Sequence, residues 1–366
     1  MKKYLVFLGI AALTMAACTK TEIDETAVPD QKINFSVASY VPQTRADGNV
    51  SFLNEFTDPT KAQFTSNAFM KGVGVDGYQN FFPAAGEIIK WNSSAKEWAP
   101  SSHDYYWPKN EESYVNFFSW YDTGNGPTTK ENGKLEWKDR EIGTGDNIMY
   151  ADPAWRFQKN TNAAQYGFDG VKEGIPTLFH HALAQVEFRA VASKLTVSNV
   201  CEWTINLTNL ELKVANKGTL TLTATEPTSG NNIQGTWVNG ETAPAWVADA
   251  TKNSIMPASF QVKATDTAAD DAKLLANQSV LPQSLTGVNL TFKLDITTTY
   301  QSGAVHHEII PVTIPMTGEG GFGPEAWALN TKYIYTITIV PGENRVLFDP
   351  AVEADWTTVN AGSKTL

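Results

Sequence analysis

The chain has two cysteines in 366 residues, Cys18 and Cys201, and five histidines. Two thiols this far apart make no disulfide framework, and they are too few for a structural zinc site built on cysteines. Positive charge is also scarce. There are 28 Lys and Arg against 39 Asp and Glu, a formal net charge of −11. A nucleic-acid binder concentrates basic residues, so this balance argues against nucleic acid as a partner. Long apolar runs are absent apart from Tyr4 to Ala17, which is shorter than the roughly 20 residues a membrane-spanning helix needs. Helix signals are sparse, and no repeat recurs at a fixed period. No G-x-S-x-G and no catalytic Cys–His pairing is visible.

What is present begins with an export signal. Lys2 and Lys3 precede the apolar run, which ends in the small residues Ala16 and Ala17 directly before Cys18. This arrangement resembles the lipobox of bacterial lipoproteins, in which the cysteine thiol takes a diacylglyceryl group and becomes the new N-terminus. Met15 departs from the commoner leucine. The competing reading is an ordinary secretory signal with a coincidental cysteine. Residues 1–17 are thus expected to be a signal peptide, and the polar, acidic residues 18–31 a lipidated flexible tether. An outer-membrane lipid is the partner this implies, through Cys18.

The remainder reads as short strands and turns. Apolar and polar residues alternate over Ile33-Asn34-Phe35-Ser36-Val37, with Ile33, Phe35 and Val37 on one side. Pro42 and the polar stretch from Gln43 to Asn49 break the pattern. Further strands are predicted at 114–121, 183–191, 203–214, 218–223, 288–300, 306–314 and 332–340. Thr, Val, Ile and aromatics dominate these segments. Many short strands separated by Gly, Pro and Asn predict an all-β chain of antiparallel sandwiches. The length suits two domains, placed at 32–180 and 181–342, followed by a tail at 343–366.

Few residues suggest chemistry. His306-His307-Glu308 offers metal-ligand types, but adjacent strand residues face opposite sides. Gly318 to Gly323 resembles a phosphate-cradling loop, yet it lacks a following helix and a Lys-Ser/Thr pair, and Pro324 comes next. Asp266, Asp270 and Asp271 read as a solvated loop before a cation site. Trp91, Trp98, Tyr105, Tyr106 and Trp107 could stack on sugars or simply pack a sandwich core. No enzyme activity, cofactor or metal is expected.

Several segments, taken in order, resemble a known family. Tyr105-Tyr106-Trp107-Pro108 with Val115 to Tyr121, Phe179 to Phe188, Asn209-Leu210 with Gly218-Thr219-Leu220, Val280 to Gln283, and Trp327 to Ile337 resemble the strand motifs of lipoprotein-precursor fimbrillins, the type V pilins. The resemblance implies two β-sandwich domains of transthyretin-like topology and a structural role in a surface pilus serving cell adhesion. It also implies a trypsin-like, Arg-specific processing protease that cuts between Arg45 and Ala46, beyond the first strand candidate. That cut would free the strand of Ile33, Phe35 and Val37 and open a groove. A strand from another copy, or from a related pilin, would fill it.

The tail offers such a donor in Val346, Phe348, Val352, Trp356 and Val359, although Pro350 interrupts it. A tail pairing within its own domain is the alternative. The expected location is an outer-membrane lipoprotein precursor and then the cell surface, within a fimbrium as a stalk subunit. A surface glycan-binding lipoprotein is the second reading, and a hydrolase the third.

Overall fold

The computed structural model describes residues 32–39, 63–143, 145–158, 174–192, 200–226, 234–240, 245–247, 273–318, 321, 323–340, 345–351 and 357–358. Among them are twenty-four strands and no helix. The first half contributes β1 (Phe35–Ser39), β2 (Gln63–Lys71), β3 (Gln79–Asn80), β4 (Glu87–Asn92), β5 (Glu97–Pro100), β6 (Tyr114–Asp122), β7 (Thr129–Glu131), β8 (Lys134–Glu141), β9 (Ile148–Ala151), β10 (Ala154–Phe157) and β11 (Ile175–His181). The second half contributes β12 (Ala184–Ala192), β13 (Val200–Lys213), β14 (Lys217–Thr223), β15 (Gln234–Asn239), β16 (Ala245–Val247), β17 (Lys273–Val280), β18 (Gln283–Ser284), β19 (Asn289–Tyr300), β20 (Val305–Pro315), β21 (Ala326–Trp327), β22 (Thr331–Val340), β23 (Arg345–Ala351) and β24 (Thr357–Thr358).

The N-terminal sheet runs β10-β6-β9-β11-β1-β5-β4-β2-β3, and β6 also pairs with β2. That extra pairing, Thr65 opposite Trp120 through Lys71 opposite Tyr114, closes the sheet on itself. The ring is β1, β5, β4, β2, β6, β9 and β11. Closure removes edges that would otherwise recruit other strands. One side of each strand fills the ring with Phe35, Phe64, Ile89, Trp98, Val115, Phe117, Met149, Ile175 and Phe179, all buried in one cluster. Phe64 anchors it, its ring centroid 5.3 Å from Phe179 and 5.6 Å from Phe35.

β2 and β6 are buried on both faces, so their sequences carry no simple alternation. Phe69, Phe118 and Trp120 turn away from the ring and pack with Leu135, Trp137, Leu220 and Leu222. The last four lie on a second sheet, β15-β14-β8-β7. It joins strands from both sides of residue 180, because β14 pairs with β8 from Lys217 opposite Glu141 to Thr223 opposite Lys134. The buried Asp122 carboxylate ties the turn after β6 to this sheet. It accepts from Gly124 N–H at 2.6 Å and Trp137 Nε1–H at 3.0 Å, and it pairs with Arg140 Nη2 at 3.1 Å.

Nine of the remaining strands form two facing layers, β17-β12-β22-β23 with β24 on β22, and β16-β13-β19-β20, while β18 and β21 pair as a separate two-stranded sheet. Between them lie Val186, Phe188, Ile205, Leu207, Leu294, Ile296, Tyr335 and Ile337. The strand boundaries at 289–300, 305–315 and 331–340 differ from the sequence expectation by a residue at most.

The junction between β11 and β12 is pinned on several sides. The Ala182 N–H donates to Ile148 C=O at 2.8 Å, Trp237 Nε1–H donates to Ala182 C=O at 2.6 Å, and Asn330 N–H donates to Leu183 C=O at 3.1 Å. The His181 N–H donates to Asn330 Oδ1, and its Nδ1–H to Asn147 Oδ1, each at 3.0 Å. Burial, assisted by the neighbouring His180, pushes the His181 pKa down from 6.5 to about 3. The unfolded chain therefore takes up a proton below pH 6.5 that the folded chain refuses until about pH 3. Stability at this group is full above pH 6.5 and falls by up to about 1.4 kcal/mol for each pH unit below it. Urea denaturation at a series of pH values from 7 to 4 is expected to show a stability slope shallower by about one proton in His181→Asn than in the parent.

Candidate functional site

β1 is the stave of the ring with the least pairing on one side. Along β11 it runs parallel for five residues, Phe35 opposite Ile175 to Ser39 opposite Phe179. Against β5 it has one antiparallel partner, Phe35 opposite Trp98. Short contacts before the strand supplement this. The Ile33 N–H donates to Tyr105 C=O at 2.8 Å, Asn34 Nδ2–H donates to Glu97 Oε2 at 3.2 Å, and Lys32 Nζ pairs with Asp104 at 2.5 Å. The Ile175 N–H donates to Asn34 C=O at 2.9 Å, which starts the parallel ladder.

The alternation read from the sequence has a clear basis here. Ile33, Phe35 and Val37 point into the ring at 2%, 3% and 8% exposure, while Asn34 and Ser36 are half-buried outside it. Phe35 sits edge-on to Phe64 and to Phe117, at 5.6 and 5.7 Å. Gly174 lets the chain approach this closely. Its φ is +134°, and a Cβ there would lie 2.9 Å from the Phe35 carbonyl carbon. Nothing in the local sequence pattern marks Gly174 as a neighbour of Phe35, because the contact joins segments far apart in sequence.

Cys18, Arg45, Ala46, Val352, Trp356 and Val359 lie outside the described residues. Val346 and Phe348 lie on β23, whose backbone pairs antiparallel with β22 in the same chain, Ile339 opposite Val346 and Ile337 opposite Phe348. Pro350 stands opposite Tyr335 on this outer strand. β24 pairs parallel with the start of β22. The tail strand thus continues its own sheet, the alternative left open by the sequence.

Among the described residues, no cluster of three His, Cys, Asp or Glu is placed to hold a metal ion. His307 Nε2 lies 2.7 Å from Asp295 Oδ1 on the neighbouring strand. Asp266, Asp270 and Asp271 lie outside the described residues. Trp98 and Tyr105 are buried in the ring, and Trp91 and Trp107 pack against it, so this part of the aromatic cluster serves as core.

Residues 65–356 match the family model described as fimbrillin-like. The chain belongs to the fimbrillin-like family. A fimbrial protein from Bacteroides vulgatus shares the fold, with 13% identity, a TM-score of 0.52, and coverage of 88% of this chain and 99% of that one. A protein assigned to cell adhesion from Bacteroides uniformis aligns at 16% identity over 90% of this fimbrillin-like chain and 100% of its own, with a TM-score of 0.44. The fimbrial anchor protein Mfa2 from Porphyromonas gingivalis aligns at 12% identity over 90% and 99%, with a TM-score of 0.32. No curated protein sequence matches the chain.

Two substitutions test how the ring holds its first strand. Phe35→Ala removes a large buried side chain, and its expected cost is about 3 to 5 kcal/mol. Gly174→Ala forces a side chain into a disallowed conformation against the β1 backbone, with an expected cost of about 2 kcal/mol. Urea denaturation of the full chain reads both. Losses below about 1 kcal/mol in both variants would show that β1 is not tightly held.

Proposed function

We propose that this chain is the precursor of a structural pilus subunit of the stalk type, in which β1 is a replaceable stave. On this reading it has two β-sandwich domains of transthyretin-like topology, the first including the ring. It is exported as a lipoprotein acylated at Cys18, held at the outer membrane by that lipid, and displayed at the cell surface. A trypsin-like protease then cuts between Arg45 and Ala46 and releases residues up to Arg45 with β1. The gap accepts the tail strand of another copy or a related pilin, and repetition builds a fimbrium serving adhesion. Family membership supports the class of function, and the fold shared with the Bacteroides vulgatus fimbrial protein agrees with it.

The observation that carries the mechanism is the position of β1 between β11 and β5, with Arg45 six residues beyond its last residue, Ser39. Removing it would leave two strands with unpaired backbone groups and a gap once lined by Ile33, Phe35 and Val37. Exposing those three side chains costs on the order of 2 kcal/mol each, which drives capture of another apolar strand. A donor entering antiparallel to β11 would replace a parallel ladder with an antiparallel one, which pairs slightly better per residue. The tail suits release because, among the described residues, β23 pairs along one side alone, at β22. Burial of Trp98 and Tyr105 weakens the glycan-binding alternative.

Arg45→Ala is expected to fold with the parent's stability and to form no SDS-resistant ladder after treatment with a trypsin-like protease. The parent is expected to form one under the same treatment. A ladder in the variant equal to the parent's would remove Arg45 as the processing site. A parent that forms no ladder after cleavage, shown by N-terminal sequencing at Ala46, would reject strand exchange itself.

A further inference from the structure

β20 is the outer strand of its sheet and, among the described residues, pairs with β19 alone. The two ends of this hairpin settle which way its backbone groups point. The Tyr300 N–H donates to Ala304 C=O and the Met316 N–H donates to Val288 C=O, both at 2.9 Å. Even-numbered residues of β20 therefore bond to β19, and odd-numbered residues turn their N–H and C=O outward. Pro311 and Pro315 stand at odd positions, where the missing N–H costs the ladder nothing. They also strip donors from the outer edge, which closes that half of the strand to an incoming partner.

The other half carries no such block. Val305, His307 and Ile309 present outward N–H and C=O groups in sequence. Val305 and Ile309 are 64% and 58% exposed, unusual for large apolar residues on a strand edge.

We propose that Val305–Ile309 is a self-pairing edge through which two copies of this chain associate side by side, antiparallel, about a two-fold axis at His307. The sequence of the segment fits its own reverse. In this register Val305 faces Ile309 of the second copy twice, both pairs on the exposed face of the sheet. His306 faces Glu308 of the second copy twice on the other face, a polar pair at the closely spaced, non-hydrogen-bonded position. His307 meets its own equivalent at the axis, where backbone bonds form in both directions. All outward groups of residues 305, 307 and 309 are used. Moving the axis to Ile309 would bring Pro311 into the ladder, where its ring obstructs the partner strand. The prolines thus select the register as well as its length. A symmetric contact of this kind is self-complementary and closes at two copies.

Five residues of edge span about 17 Å, too little for the roughly 1,200 Å² of a stable interface. A single contact is weak. Its consequence rests on the polymer reading above: along a fibre of identical subunits the second and later contacts become intramolecular, and avidity rises by about 10² or more. The contact would then join fibres laterally while leaving isolated subunits monomeric at low concentration.

The test uses the unprocessed full chain, which cannot extend a polymer by strand exchange, so the two proposals fail separately. Sedimentation equilibrium up to millimolar protein is combined with amide hydrogen exchange. Expected is a concentration-dependent dimer in which the amides of Val305, His307 and Ile309 gain protection, while those of His306 and Glu308, already bonded to β19, do not change. Ile309→Lys is expected to weaken the dimer by about tenfold or more. His307→Pro, which removes an outward donor and no ladder bond, is expected to abolish it with an unchanged melting temperature. A chain that stays monomeric throughout, a dimer without protection at 305, 307 and 309, or undiminished dimers in both variants would each overturn the proposal.

Discussion

The closure of the N-terminal sheet depends on β1. Between β11 and β5 it completes a ring whose other five neighbour contacts are antiparallel ladders. It does so with a parallel ladder on one side and a single paired position on the other. The apolar interior compensates: Phe35 lies among Phe64, Phe117, Ile175 and Phe179, so side-chain burial holds the strand where backbone pairing is thin. A strand held mainly by alternate apolar side chains is one that another strand with the same alternation can replace.

The rest of the chain holds the other six strands of the ring through contacts that do not involve β1. β2 and β6 pair directly and are buried on both faces. Their outer faces pack on the sheet of β7, β8, β14 and β15, and the Asp122 carboxylate ties that sheet to the turn after β6. The β11–β12 junction is fixed by bonds to β9, to Trp237 and to Asn330. These restraints lie opposite or beyond the β1 slot, so local loss of β1 need not propagate into the second pair of layers, whose core is a separate cluster.

Much of this was legible in the sequence where a strand has one wet face and one dry face. The alternation of Ile33, Phe35 and Val37 is a period-two signal, and so are Leu290 to Ile296 and Tyr335 to Ile339. Long-range pairing was not legible. Nothing in Gln63–Lys71 announces a strand, because both its faces are buried and its apolar pattern is irregular. The parallel match of β1 to β11, the closing contact of β2 with β6, and the pairing of β14 with β8 across residue 180 join segments far apart, and alternation carries no information about partners. The aromatic cluster at 91–107 was ambiguous for a related reason: composition does not say whether a Trp faces a ring interior or a sugar, and Trp98 faces the interior.

The proposed strand exchange rests on one physical claim, that the β1 slot accepts the tail strand once β1 is gone. The direct measurement takes the chain cut after Arg45 and truncated at residue 342, adds a synthetic peptide of residues 343–366, and follows binding with hydrogen exchange. The account predicts stoichiometric, slowly dissociating binding that restores protection to the backbone of β11 and β5, and no binding to the uncut chain that keeps β1. No binding to the cut chain, or equal binding to both, would contradict it.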